Sequence, residues 1–235
     1  VRSQIWREAG SLDSKGYFDE VAAQWDGMRE AFFSDAVRQK AISVAEVQPG
    51  RIAADIGAGS GFITEGLVRT GVKVIAVDQS EEMLSEMHRR FSDFPSVECR
   101  LGRAEALPIE DEAVDYVFAN MYLHHVDSPP QAIQEMVRVL KPGGKLVISD
   151  LDEHSCEFLR TEQHDRWLGF QRGDVERWLA EAGLQGVATD GLGEDCCARS
   201  ECGEEFAAVS IFVAHGERTG PASGFEAGVD TPGRS

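Results

Sequence analysis

From Arg51 to Leu67 the chain reads RIAADIGAGSGFITEGL, an apolar run of strand character, glycines at 57, 59 and 61, and then a segment of helical character. Few folds accept that succession. Glycines between a strand and a helix let the backbone approach a ligand closely, and in an open parallel sheet this junction lies at the carboxyl edge, where nucleotide-like ligands bind. The dinucleotide fingerprint GxGxxG counted from Gly57 requires glycine at position 62, which is Phe62 here.

The chain around this stretch alternates strands and helices. Strands are predicted over Arg51–Ile56, Lys73–Asp78, Val97–Leu101, Ala113–Ala119 and Lys145–Asp150, short and apolar as buried parallel strands are. Helices are expected over Phe62–Arg69, after an N-cap at Ser80, and over Gln131–Leu140 up to LKPGG. Upstream, Tyr17, Phe18, Val21, Trp25, Met28, Phe32, Phe33 and Val37 recur at helical spacing, which predicts two helices broken near Asp26–Gly27. Downstream, a helix capped by Asp174 (Asp174–Ala182), a strand near Leu184–Thr189 and a strand over Ala207–Ala214 are expected. A loop carrying Cys196, Cys197 and Cys202 would join those two strands. Such βαβ alternation in 235 residues predicts one α/β domain, and the Gly-, Pro-, Ser- and Thr-rich residues 217–235 are expected to be a disordered tail.

Charge narrows the partners. Lys and Arg number 23 against 41 Asp and Glu, a net charge of −18 without an evident basic patch, so no nucleic-acid partner is expected. No long apolar span or signal-peptide pattern is seen, and five cysteines at uneven spacing suit a reduced compartment, so a cytoplasmic protein without membrane contact is expected.

Asp55 ends the first strand, where a carboxylate is awkward beside a pyrophosphate but suited to a cationic amine. S-adenosylmethionine carries an ammonium and a sulfonium and no phosphate, so the electrostatics favour it. Asp78 ends the second strand ~20 residues after the glycines, where an acidic residue accepts from ribose hydroxyls in either cofactor class.

The order DIGAGSG (Asp55–Gly61), VDQSEEML (Val77–Leu84), GRAEALP (Gly102–Pro108), AVDYVFANMYLHHV and LKPGGKLVISD resembles the class I S-adenosylmethionine-dependent methyltransferases, in particular the small-molecule group with the type 11 methyltransferase domain. The resemblance implies a Rossmann-like seven-stranded, mostly parallel sheet with its last strand antiparallel, helices on both faces and an N-terminal helical lid. It divides the domain (1–216) into a lid (11–47), a cofactor-binding half (51–150) and a substrate-side half (151–216). It further implies that Asp55, Gly57, Ala58, Gly59 and Gly61 line the methionine end of the cofactor, and Asp78 the ribose. Gln79 and Met83 would flank sugar and adenine, Ala104 and Glu105 the adenine edge, and Asn120 the floor beneath the sulfur. Arg103 departs from the acidic residue frequent in the family at that loop. YFDEVAAQWDGMR resembles the family's lid, so Tyr17, with Trp25, Met28 and Arg29, is expected over the cofactor.

His124 and His125 follow the fourth strand, where an imidazole can deprotonate an acceptor, and are the catalytic candidates; a structural role beneath the loop is the alternative. Asp150, Asp152 and His154 are expected on the same edge. Cys156, Cys196, Cys197 and Cys202 form a candidate soft-acceptor site, since clustered thiolates bind thiophilic species. Three functions result: methylation of a small-molecule acceptor, methylation of arsenite or another thiophilic acceptor on those thiols, or binding of S-adenosylmethionine as a sensor without turnover.

Overall fold

A computed structural model describes residues 14–200 and 202–220. The first residues assigned to the lid (11–13), the segment before them and residues 221–235 of the expected tail lie outside the described residues.

The sheet has seven strands: β1 (Ile52–Ile56), β2 (Lys73–Asp78), β3 (Val97–Leu101), β4 (Val114–Asn120), β5 (Leu140–Leu151), β6 (Leu184–Arg199) and β7 (Phe206–Arg218). Their order is β3-β2-β1-β4-β5-β7-β6. Strands β1 to β5 pair in parallel, and β7 runs antiparallel to both β5 and β6. The chain leaves β1 toward β2 on one side and returns to β4 on the other, so a crevice opens at their carboxyl ends, between two oppositely directed crossovers.

Helices cover both faces. They are α1 (Ser14–Val21), α2 (Trp25–Phe32), α3 (Ala36–Ala45), α4 (Phe62–Val68), α5 (Glu81–Arg90), α6 (Pro129–Val139), α7 (Glu157–Glu162) and α8 (Arg172–Glu181). Two apolar clusters fill the layers, one including Ala54, Ile56, Val117, Ile133, Met136 and Phe212, the other Ala53, Phe62, Leu67, Phe118, Val147 and Val213. Neighbouring residues of each central strand alternate between the clusters, as strand pleat requires. Among the described residues no helix is long and apolar enough to cross a membrane.

Several boundaries differ from the sequence expectation. The upstream segment is broken at a 3-10 turn, Ala22–Gln24, and again before Ala36, while Asp26 and Gly27 lie inside α2. Pro129 and Pro130 open α6, where proline's missing N–H leaves no helical bond unmade. Helix α8 begins at Arg172 with Gln171 at its N-cap, so Asp174 stands in the first turn. Strand β6 continues through Arg199 with register shifts between Gly191 and Asp195; Cys196 and Cys197 therefore lie on a strand, their loop having been absorbed into pairing with β7. Strand β7 likewise takes in Glu217 and Arg218.

Candidate cofactor cleft and acceptor cavity

At the carboxyl ends of β1, β2 and β4 the glycine turn builds a cleft. Gly57 and Gly59 take φ of 66° and 53°, a region that L side chains rarely adopt. A Cβ on Gly57 would lie 2.2 Å from the Tyr122 ring, so the absence of a side chain there is a packing requirement as well. Gly61, by contrast, caps α4 and a Cβ on it would strike Phe91 at 2.4 Å; its smallness serves the seating of α5's end on α4.

The cleft lies between this turn and the upstream helices. Gly57, Ala58, Gly59, Asp78, Gln79, Met83 and Asn120 line it. Asp78 is buried, with one carboxylate oxygen accepting from the Gly59 N–H at 2.8 Å and the other from the Ser80 N–H at 2.9 Å. Each oxygen keeps a lone pair beyond those bonds, which leaves capacity for ribose hydroxyls. Ser80 caps α5 by accepting from the Met83 N–H at 3.0 Å and so fixes the helix that carries Met83 into the cleft.

Other expected residues sit elsewhere. Asp55 is buried beneath the turn, its Oδ2 accepting from the N–H and hydroxyl of Thr64 at 3.0 and 2.7 Å, and burial pushes its carboxyl up to about 7. Neither Asp55 nor Gly61 lines the cleft. Ala104 is buried outside it, and Glu105 borders a neighbouring polar groove with Gln79, Arg103 and Tyr122 while accepting from the Asp127 N–H at 2.9 Å. Asn120 is oriented by the Ser149 hydroxyl, 2.6 Å from its Oδ1.

The upstream helices roof this cleft. Trp25 lies over the glycine turn, its Nε1 3.5 Å from where a Gly59 Cβ would be. Asp26 accepts from the Ser60 hydroxyl and from Arg90 at 2.9 Å, tying α2 down. Met28 packs with Tyr17 and Met83 without lining either cavity described here. Arg29 also reaches the cleft: it is 8% exposed, its guanidinium carbon is 4.2 Å from the Phe62 ring centroid, and its Nε has no hydrogen-bond partner among the described residues. Burial lowers its proton affinity, yet a guanidinium stays charged inside a protein. A buried cation with an unspent N–H beside the glycine turn fits the carboxylate of a methionine moiety. Together with the free acceptor capacity of Asp78, it makes the residues present a fit for S-adenosylmethionine.

A second cavity adjoins the first and is more apolar, with Phe32, Leu151, Leu159 and Ala198 in its wall. Tyr17 lines this one, its hydroxyl donating to Gln163 at 3.0 Å and its ring 4.8 Å from that of His164. Its polar end holds His124, His125, Gln163, Asp165 and Cys196. His124 is buried and donates through Nδ1 to Asp150 at 2.7 Å; burial lowers its proton affinity, but Asp150 and Asp165 outweigh this and raise it to about 9. His125 is held well below the usual range by burial and by the neighbouring His124. Asp165, on the segment after α7, is raised to about 6 by burial. Asp152 faces away into a two-point pair with Arg172, at 2.7 and 2.6 Å, and His154 accepts from the Cys156 N–H at 3.2 Å.

The four thiols are not gathered. Adjacent strand residues point to opposite faces, so Cys196 enters the cavity while its neighbour Cys197 turns away, its Sγ 3.9 Å from the Asp195 carbonyl. Cys202 is exposed beside Ser200, and Cys156 packs against the apolar layer. Burial, with Asp165, Cys197 and Asp150, pushes the Cys196 thiol up to about 12, the reverse of what a reactive thiolate needs.

Sequence reasoning had not singled out Tyr122, Gln163 or Asp165. Tyr122 stood within a motif it had quoted. Gln163 and Asp165 reach the site only through the folding-back of residues 152–170, which leaves no periodic signal.

Residues 54–148 match the family described as "Methyltransferase domain". Over those residues the chain carries a methyltransferase domain. The demethylmenaquinone methyltransferase of Renibacterium salmoninarum is 33% identical over 147 residues, 61% of either chain. A 37.1 kDa transposon-encoded protein of Streptomyces fradiae is 33% identical over 148 residues, 62% of this chain and 41% of its own length. The chain thus spans less than two thirds of either relative. Among solved structures, the Haloferax volcanii chain in complex with the Trm112 methyltransferase activator superposes with a TM-score of 0.72 at 23% identity, over 86% of this chain and 98% of that one. An S-adenosylmethionine-dependent methyltransferase from Thermotoga maritima does so with a TM-score of 0.64 at 20% identity, over 88% and 100%. At such identities the two structures attest the fold.

Proposed function

We propose that the protein transfers the methyl group of S-adenosylmethionine to a small-molecule acceptor whose apolar body lies in the second cavity. The observation that supports this reading is a shared wall. Phe18, Trp25, Phe33, Met121 and His125 line both cavities, so the two spaces meet at these side chains, and an acceptor atom at that junction would face a methyl group held over the glycine turn.

The cofactor supplies a methyl carbon made electrophilic by its sulfonium. The chain supplies position and dryness. Asp78 accepts from the ribose hydroxyls, Arg29 pairs with the carboxylate, and Gly57 and Gly59 leave room for the backbone to approach. Trp25 and Phe18 exclude water from the reacting centre, which strengthens every electrostatic contact inside it. His125, on the shared wall, orients the acceptor's nucleophilic atom, with His124 and Asp150 behind it. Holding two reactants in attack geometry is itself worth about 7 kcal/mol or more, so positioning carries much of such a reaction.

The test is release of S-adenosylhomocysteine from the purified protein with a panel of phenols, amines, small thiols and arsenite. Turnover with an acceptor of apolar body and single nucleophilic atom is expected. Tight cofactor binding with no turnover across the panel would instead make the protein a sensor, and turnover restricted to arsenite would move the chemistry to a soft acceptor.

A further inference from the structure

The polar end of the acceptor cavity carries a donor set that methyl transfer does not by itself require. One ring nitrogen of His124, one of His125 and one carboxylate oxygen of Asp165 lie within 4.8 Å of one another, and all three residues are buried. His124 is bonded through Nδ1 to Asp150 Oδ1 at 2.7 Å, and His125 through Nδ1 to the His164 carbonyl at 3.3 Å. A carboxylate and a carbonyl accept, so each Nδ1 carries a proton, and a cation that displaces the Nε2 proton of His124 would meet a lone pair on each Nε2. Histidines that hold metal ions are oriented in this way, by an outer hydrogen bond that fixes ring and tautomer.

The third group is fixed independently. The Arg166 and Trp167 N–H groups both donate to the His124 carbonyl at 3.0 Å, and the Trp167 indole donates to the Val126 carbonyl at 3.0 Å. His164 takes φ of 59°, a conformation uncommon for a residue with a side chain, and Asp165 follows it into the cavity. Asp165 is 4% exposed, and no hydrogen bond among the described residues reaches its carboxylate. Its Oδ1 stands 3.8 Å from His124 Nε2, too far for a hydrogen bond and near the ~3.3 Å that separates two ligands of one tetrahedral ion with ~2.05 Å bonds.

We propose that His124, His125 and Asp165 bind a divalent transition-metal ion at the polar end of the acceptor cavity, leaving open positions for water or the acceptor. Two imidazoles and a carboxylate suit zinc, iron, cobalt or manganese, and a three-ligand site with open positions is of the catalytic kind. Its purpose rests on the methyl-transfer reading above: an acceptor hydroxyl on the ion would give its proton to solvent near neutral pH and stay bound as the oxyanion beside the cofactor cleft.

Chelator-stripped full-length protein titrated with Co2+ tests this. One equivalent is expected to bind, with visible ligand-field absorption and no thiolate-to-metal charge-transfer band. Asp165→Asn is expected to weaken binding at least about 100-fold, and Asp150→Asn, which removes the carboxylate behind His124 and no metal ligand, by about 10- to 100-fold. Cofactor calorimetry on each variant shows that it has folded. Folded wild type that takes up no Co2+ overturns the proposal, as does Co2+ binding unaltered in folded Asp165→Asn or a charge-transfer band abolished by Cys196→Ser. Wild type that binds S-adenosylmethionine but no Co2+ removes the metal site and leaves methyl transfer standing; Co2+ binding without cofactor binding does the reverse.

Discussion

The cofactor cleft and the acceptor cavity share a wall but are assembled in opposite ways. The floor of the cleft comes from three adjacent strand ends and the turns that follow them, with Gly57, Gly59, Asp78 and Asn120 each at or just beyond the end of an element of fixed register. The polar end of the cavity is drawn from the 3-10 turn after β4, the segment after α7 and the far part of β6, joined by long-range contacts such as Tyr17 to Gln163. Parallel-sheet geometry places the first set automatically, whereas the second depends on tertiary bonds between distant parts of the chain. A backbone-built site should therefore fail sharply when its turn is altered, and a side-chain-built one should change its selectivity first.

Gly57→Val strikes the turn hardest, since the new side chain meets Tyr122 and the backbone at φ 66° disfavours it. Cofactor affinity should fall by about 100-fold or more, roughly 3 kcal/mol, in titration calorimetry; ordinary affinity would show that the turn does not floor the site. Arg29→Met keeps the packing on Phe62 and removes the charge, and should cost about tenfold in cofactor affinity, a charge-assisted bond's worth. If only acceptor KM moved, Arg29 would belong to the other region. Cys196→Ser exchanges a thiol packed against the apolar layer for a hydroxyl and should cost about 1–2 kcal/mol of stability by urea unfolding, with a raised acceptor KM. Cys202→Ser, on the surface, should stay within about 0.5 kcal/mol, and equal effects of the two would erase the distinction drawn between these thiols.

Beneath the turn the comparison predicts a pH dependence of stability. Asp55 has its carboxyl raised by burial from 3.8 to about 7. The folded state therefore holds a proton that the unfolded chain has released, and the stability contributed by this group is complete below about pH 4 and lost as pH rises toward 7. Asp55→Asn should flatten the unfolding free energy between roughly pH 5 and 7. A slope unchanged by the substitution would mean that Asp55 is ionised in the fold, countered by more than the two bonds from Thr64.

The same contrast explains what could be read from the residues. The five parallel strands and the glycine turn follow from βαβ periodicity, a local signal, and the antiparallel last strand from the resemblance that the motif series carries. Asp55 and Gly61 were legible as members of the motif but not in their contacts, because burial beneath the turn and packing on Phe91 are tertiary facts. Cys196 and Cys197 read as a loop because GLGEDCCARSECGEE has no alternation, and pairing with β7 overrides weak propensity. Asp165 stands in DRWLGF, a stretch legible as part of the resemblance, but its place in the cavity is set only when His124 accepts the backbone bonds that bring the segment in.

The central claim is that the cleft beneath Trp25 is a donor site read by Asp78, and calorimetry with S-adenosylmethionine measures it directly. One equivalent should bind the wild type, and Asp78→Ala, which removes the acceptor for Gly59 and Ser80 as well as for the ribose, should weaken binding by at least about tenfold. Undiminished affinity in a folded Asp78→Ala protein would contradict the account.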